Sequence, residues 1–441
     1  MTNYLSIGKT FLVTALFILL LALTFGLLSA YNYLNPQFLK DYPGFVSLRP
    51  MHVSSVVFWI ILGATGCVYC GLSEIVKSDQ NNNSVKIQWW LWIIAIIGVF
   101  YSYFTHDFGG REYWEFNPVW ALPIVLAWII FIYNFVKSAR KITNWPVYIW
   151  MWLTGTIFFM FTFLENYLWL IPYFRSHVIT DMTVQWKVNG SLVGSWNQLL
   201  YGTSFYLMDR IEKKSNVGQS KLAFTMFFLG LFNLMFNWSH HIYTLPTEHY
   251  IRYIGYAVSM TEWIFFIRII AMWKKSVDEI PKNYSYYSYR FLLASEIWVF
   301  LNLGQAILMS IPAINIFTHG THITVAHSMG TTIGINSMIL FAACFEFFQI
   351  RNYESQTKAK YFNEIFWTIQ ISLFAFWASL LGSGIIRGQW QMSQNRIPFS
   401  EMITSLHPFF IALFVSGIVL SIAIASMVFK ILSSHFLSIK K

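Results

Sequence analysis

The sequence predicts an all-α polytopic membrane protein of twelve transmembrane helices, folded as a single domain over residues 1–441. Two observations point there. Hydrophobic residues make up 56% of the chain and charged residues only 11%, with a mean hydropathy of +0.52, a balance far from that of soluble domains. Apolar runs of about 20 residues, the length that crosses a bilayer core, recur from end to end.

The runs fall near 10–34, 51–72, 87–104, 119–136, 146–173, 184–208, 222–244, 253–273, 291–312, 320–350, 362–386 and 403–429, with short loops that leave no linker. The first is read as a retained helix, because no small-residue cleavage site follows it. The N-terminus, the loops after even-numbered spans and the C-terminus hold 20 of the 29 Lys and Arg residues, and the odd-numbered loops hold 7. Basic loops face the cytoplasm, so both termini are expected there, in a bacterial-type inner membrane. The other two, Lys187 and Arg268, lie inside spans, where a charge must face the bundle interior or water.

The net charge of +10 is accounted for by these loops and does not call for a nucleic-acid partner. Aromatic residues reach 20%, with 20 Trp, more than two interfacial belts need, so many pack inside the bundle or line a cofactor pocket. Cys67, Cys70 and Cys344 lie in apolar segments as packing residues. Cys67-Val-Tyr-Cys70 lacks the following histidine of a covalent haem motif.

The stretch Ile311–Ala343 stands out, because it places His319, His322 and His327 at the entrance and first turns of an apolar helix. With the orientation above, His52 begins the second span, His240 and His241 lie near the end of the seventh, and His327 sits about two turns into the tenth. Four histidines from three helices then share one depth in the outer half. Neutral imidazoles suit haem iron and a neighbouring non-haem metal without adding charge to the membrane interior. A membrane histidine taken singly is equally well a hydrogen-bonded packing residue, and for His52 by itself that alternative stays open. At roughly 100° per residue, His327 and Met329 point about 200° apart, so one helix can present each to a different cofactor.

RPMHVSS at the start of the second span, GREYWEF after the third, NWSHH in the seventh and THGTHITVAH leading into the tenth together resemble the large subunit of the haem-copper oxidase superfamily. The nitric oxide reductase branch is the nearest likeness, over nearly the whole chain. The resemblance implies a low-spin and a high-spin haem, b-type, with His52 ligating the first and His327 the second. It implies a non-haem iron or copper held by His240 and His241, with His319 and His322 hydrogen bonding near the haem edge or propionates. Glu262 falls where nitric oxide reductases keep a carboxylate near the reaction centre. Glu112 and Glu115 resemble the carboxylates that bind calcium beside the propionates, and as loop charges they are equally well simply solvated. Glu165, Glu296 and Glu346 are candidates for a proton route, since carboxylates inside spans are costly.

Two departures qualify the likeness. Where the family places a metal-binding histidine on the sixth helix, and reductases add a glutamate one turn later, this chain has Asn189 and Val193. A second metal would rest on two imidazoles, with Asn189 a weak donor. Met329 stands where the family has a second histidine. A thioether is a competent axial ligand that raises the haem potential, and the alternative is a packing role.

The implied activity is transformation of NO or a related small oxide at the His327 haem. Electrons would come from a cytochrome c-bearing subunit or a soluble cytochrome c-type donor. The altered metal site also resembles that of nitric oxide dismutases. An oxygen-reducing terminal oxidase and a non-catalytic haem or electron-transfer subunit are the alternatives.

Overall fold

The structure is a computed structural model that describes residues 4–76, 83–211, 217–261, 263, 264, 267, 286–350 and 356–439. The chain divides into two compact units, one of residues 1–19 and 53–261, the other of residues 20–52 and 262–441. The helices are α1 (Tyr4–Tyr31), α2 (Gly44–Val76), α3 (Asn83–Phe104), α4 (Ala121–Ala139), α5 (Val147–Glu165), the single turn α6 (Pro172–Arg175), α7 (Val178–Ile211), α8 (Lys221–Phe236) and α9 (His249–Met260). They continue with α10 (Tyr287–Met309), α11 (Pro312–Thr318), α12 (His322–Phe347), α13 (Gln356–Met392) and α14 (Phe399–Ile439). Helix α12 is not uniform: Gly330–Ser337 winds as a π-helix between two α-helical stretches, a widening often found at functional sites.

Among the described residues, ten helices are long and apolar enough to cross a membrane, against the twelve expected. The sixth expected span forms as α7, 34 residues long, but Asp181, Gln185, Lys187, Asn189, Ser191, Ser195, Asn197 and Gln198 make it too polar to qualify by composition. The eighth is described only as α9, and most of its expected remainder lies outside the described residues. The loop after α3 contains a small hairpin that periodicity did not predict, β1 (Phe108–Arg111) and β2 (Trp114–Phe116). Gly110 is obligatory in it, because a Cβ there would fall 1.4 Å from the Trp114 carbonyl oxygen.

In the first unit the helices approach closely through small residues, as bundles in lipid do. A Cβ on Gly66 would meet the Gly8 carbonyl at 2.8 Å, joining α1 to α2, and one on Gly155 would meet the Ser195 carbonyl at 2.7 Å, joining α5 to α7. Trp152, fully buried, adds a 3.2 Å hydrogen bond from its indole to the Leu199 carbonyl. In the second unit, Gly384 on α13 lies against the Ile323 backbone, and Met402, Leu406 and Phe410 of α14 pack with Ile386 and Trp390.

Charges inside spans are paired, as the cost of burying an ion requires. Lys187 bonds Glu165, which gives a structural reason for both the unexplained cation and one of the candidate proton-route acids. Arg111 holds Asp181 through both carboxylate oxygens, at 2.9 and 3.2 Å, and lies 4.7 Å from the centre of the Trp169 ring. Glu346, another candidate acid, is buried and accepts from Ser288 at 3.2 Å. Arg268 lies outside the described residues.

Replacing Lys187 by Met strands Glu165. Both side chains are 33% exposed, so the loss should fall between the roughly 0–1 kcal/mol of a surface pair and the roughly 3–5 kcal/mol of a broken buried one. Lys187→Met with Glu165→Gln should recover most of it, read as the melting temperature of the detergent-solubilised protein.

Candidate functional site

The second unit gathers His52, His319, His322, His327 and Met329; the first holds Glu112, Glu115, Asn189, His240 and His241. Glu262 lies outside the described residues.

His52 sits two residues after Pro50 near the start of α2. Its Nδ1 lies 2.8 Å from the Ala22 carbonyl oxygen on α1. A carbonyl only accepts, so Nδ1 carries the proton and Nε2 keeps its lone pair, the tautomer a metal-ligating histidine needs. The ring rests on Gly26, where a Cβ would come within 2.8 Å of two ring atoms. Sequence reasoning misses Gly26, whose one signal is that of a lone glycine in the apolar run of α1.

Met329 packs against a buried cluster of Ala326, Leu380 and Leu413, as do Phe376, Trp377 and Leu381. Gly417 on α14 faces Phe376 on one side and Leu27, the neighbour of Gly26, on the other. The thioether is thus held in an apolar nest within the unit that carries His52.

His327 is the last but two of the α-helical residues before the π segment, and its ring has the Asn302 backbone on α10 as its hydrogen-bond partner. Thr331 Oγ1 donates to the His327 carbonyl at 3.1 Å and accepts from Asn302 Nδ2 at 2.7 Å. His319 ends α11 with its backbone N–H on the Asn315 carbonyl at 2.8 Å. His322 opens α12 behind Thr321, whose hydroxyl caps the helix by accepting from Ile323 N at 3.2 Å. The His322 ring is edge-on to Tyr33 and to Phe410, at 5.7 and 5.5 Å.

In the first unit, α8 ends at Phe236, and His240 and His241 lie in a following 3₁₀ turn, Asn237–Ile242, rather than in the helix. Their rings are side by side, 4.2 Å between centroids. His240 Nδ1 is 3.5 Å from Ser259 Oγ on α9. The His241 ring is parallel to Trp186 and lies on Gly190 of α7, where a Cβ would come within 2.9 Å of it. Asn189, next to that glycine, is buried; its Oδ1 accepts from Gln185 Nε2 at 3.3 Å and its Nδ2 has no partner. Glu112 and Glu115 belong to the hairpin, at its turn and in β2.

These donors divide clearly. An imidazole locked with Nε2 free, a thioether among apolar side chains and a second imidazole held from the backbone of a neighbouring helix fit haem iron. The non-haem metal fits poorly, because among the described residues no group of three or more His, Cys, Asp or Glu side chains converges to hold an ion. The same finding gives Glu112 and Glu115 no third protein carboxylate for calcium.

A multi-pass helical protein with such imidazole sets belongs to a recognisable class, and comparison with known proteins identifies it. The profile of the cytochrome c and quinol oxidase polypeptide I family matches residues 6–419, and the chain belongs to that family. It is 21% identical over 432 residues to cytochrome c oxidase subunit 1 of Rhodobacter capsulatus, covering 90% of this chain and 79% of the relative. It is also 21% identical over 448 residues to a nitric oxide reductase subunit of Stutzerimonas stutzeri, covering 94% of this chain and 91% of the relative. A haem-copper terminal oxidase solved by cryo-EM as a dimer shares the fold, with a TM-score of 0.77 at 14% identity over 99% of this chain and 84% of that one. Members of the family are haem-binding membrane oxidoreductases of respiratory chains.

Gly26→Ala should drive the His52 ring off the Ala22 carbonyl. If His52 ligates a low-spin haem, the signal of that haem should then fall as far as in His52→Ala, with helix content by circular dichroism unchanged.

Proposed function

We propose that this chain is a divergent member of the nitric oxide reductase branch, transforming NO or a related small oxide at a high-spin haem bound by His327. The observation that carries the reading is the likeness to the Stutzerimonas stutzeri nitric oxide reductase subunit, which extends over 91% of that protein. His240 and His241 adjoin each other and α7, where Asn189 stands in place of the histidine that the resemblance expects of oxidases and reductases alike, so the metal set is altered from both.

In this reading His52 Nε2 and Met329 sulfur hold the low-spin haem and His327 holds the high-spin one. Bound haem supplies electron transfer and a gas-binding iron. The chain's own part is to orient the ligands: Ala22 sets the His52 tautomer, Gly26 makes room for the ring, and Gly190 with Trp186 fixes the plane of His241. His319 and His322 stand at the lip of α12 as polar groups for the haem edge. Glu262 is proposed as a carboxylate of the reaction centre.

Reductive coupling takes two NO, two electrons and two protons to N2O and water. The sequence has no covalent haem c motif, so the electrons are assigned to a cytochrome c-bearing subunit or a soluble cytochrome c-type donor. Disproportionation of two NO to N2 and O2 needs no external electrons, and the loss of the α7 histidine keeps this variant within the proposal. The absence of a third metal donor among the described residues also favours a second reading, a haem protein that transfers electrons without catalysing a reaction on a small oxide.

Haem and metal stoichiometry with visible and EPR spectra of the reduced and NO-treated protein separates the two. Two haems per chain, with NO consumed, is the expected result; one haem and no turnover would leave the electron-transfer reading. His327→Ala should remove the high-spin spectrum and leave the low-spin one. Asn189→His should raise non-haem iron occupancy toward one per chain, and unchanged occupancy would show that this position does not serve the metal.

A further inference from the structure

The α-helical stretch that carries His327 is eight residues long, His322–Met329, and runs directly into the π segment Gly330–Ser337. A helix of that length has little stability of its own, so its position is set by what grips it from outside. Gln305 on α10 is one such grip. Its Nε2 donates to the Ile323 carbonyl oxygen at 2.8 Å, four residues before His327. In an α-helix that oxygen also accepts the backbone N–H of residue 327, and its second lone pair serves the amide. Gln305 is buried, and its orientation is fixed from the other side, where Trp377 on α13 donates its indole N–H to Gln305 Oε1 at 3.1 Å. An amide engaged at both oxygen and nitrogen cannot flip without losing both bonds. Asn302, one turn earlier on the same face of α10, supplies two further holds. Its backbone partners the His327 ring, and its Nδ2 donates at 2.7 Å to Thr331 Oγ1, which donates at 3.1 Å to the His327 carbonyl. One face of α10 thus holds α12 a turn before His327, at its ring, and a turn after. A second indole–amide pair joins α10 to α13 without this reach: Trp298 donates to Gln370 Oε1 at 3.0 Å, and Gln370 Nε2 goes to Met338 Sδ, at 3.4 Å, away from the His327 turn.

We propose that Gln305 is a positioning residue for His327, pinning the turn from Ile323 to His327 against α10 so that the imidazole meets haem iron at one fixed tilt, with Trp377 holding the amide to that task. This rests on the reading of His327 as a haem ligand. Partners outside the ligand set orient a ligating ring. The bond to the Asn302 backbone fixes the ring of His327 relative to α10, but a ring anchored only at its tip can still swing as its own helix shifts. Gln305 anchors that helix to the same face of α10, three residues further on, so main chain and ring are held from one support. The irregular π segment that follows gives the turn less backing from its own helix, which is where an outside anchor has the most effect.

The test uses the full-length protein with its haems, reading the iron–histidine stretching mode of the ferrous high-spin haem by resonance Raman together with the melting temperature. Gln305→Met, which keeps the length of the side chain without the donor, should broaden the mode and move it to lower frequency. Trp377→Phe, which lets the amide turn, should do the same to a smaller extent. Gln370→Met breaks the companion link between α10 and α13 and should lower the melting temperature while leaving the mode in place. If Gln305→Met folds without haem, Trp377→Phe, which leaves Gln305 present, decides. Haem retained with the mode unmoved, or moved as far by Gln370→Met, would overturn the role of Gln305 while leaving His327 as ligand. A wild-type protein with no high-spin haem would overturn both.

Discussion

The contact on which the His52 geometry depends is the close approach of α1 and α2. Helices in lipid gain nothing from hiding apolar surface from one another, so small residues and interhelical hydrogen bonds bring them together. Gly8 and Gly66 serve in the first unit. In the second, Gly26 lets the His52 ring lie close enough on α1 to reach the Ala22 carbonyl at 2.8 Å. One backbone oxygen thereby chooses the tautomer and leaves Nε2 with its lone pair.

The same requirement, that a polar group in a dry bundle must find a partner, organises the remaining interior. Lys187 answers Glu165, Ser288 answers Glu346, Trp298 and Gln370 answer each other at 3.0 Å, and Gln305 donates to the Ile323 carbonyl at 2.8 Å. On α7, Asn189 Nδ2 is buried and unsatisfied, next to the glycine on which the His241 ring lies. An amide N–H is thus what α7 presents at that place.

Much of this is legible without coordinates. Membrane class, the run of spans and the family resemblance follow from hydropathy and four short motifs, because burial in lipid writes itself into composition. The pairing of Lys187 is foreseeable only as a need, since its partner Glu165 is 22 positions away. The hairpin at Phe108–Phe116 is hidden in a loop whose seven-residue motif shows no clean alternation. The sixth span reads as an ordinary apolar helix, yet α7 carries a ladder of amides and hydroxyls. The histidine pair reads as helical, yet the helix stops at Phe236. Gly26, Gly190 and Asn302 escape sequence reasoning, because a residue that acts through a neighbour distant in sequence has no signature of its own.

The sequence by itself determined the class of protein and the residue types available as donors, and it marks Asn189 and Met329 as the two places where the chain departs from the pattern it resembles. These are properties of composition and order. Tertiary structure alone decided which nitrogen of His52 is free, that Met329 sits in an apolar nest, that His240 and His241 lie ring beside ring, and that Asn302 stands behind His327. Each depends on a hydrogen bond or a clash across helices, with energies that turn on tenths of an ångström between groups far apart in sequence.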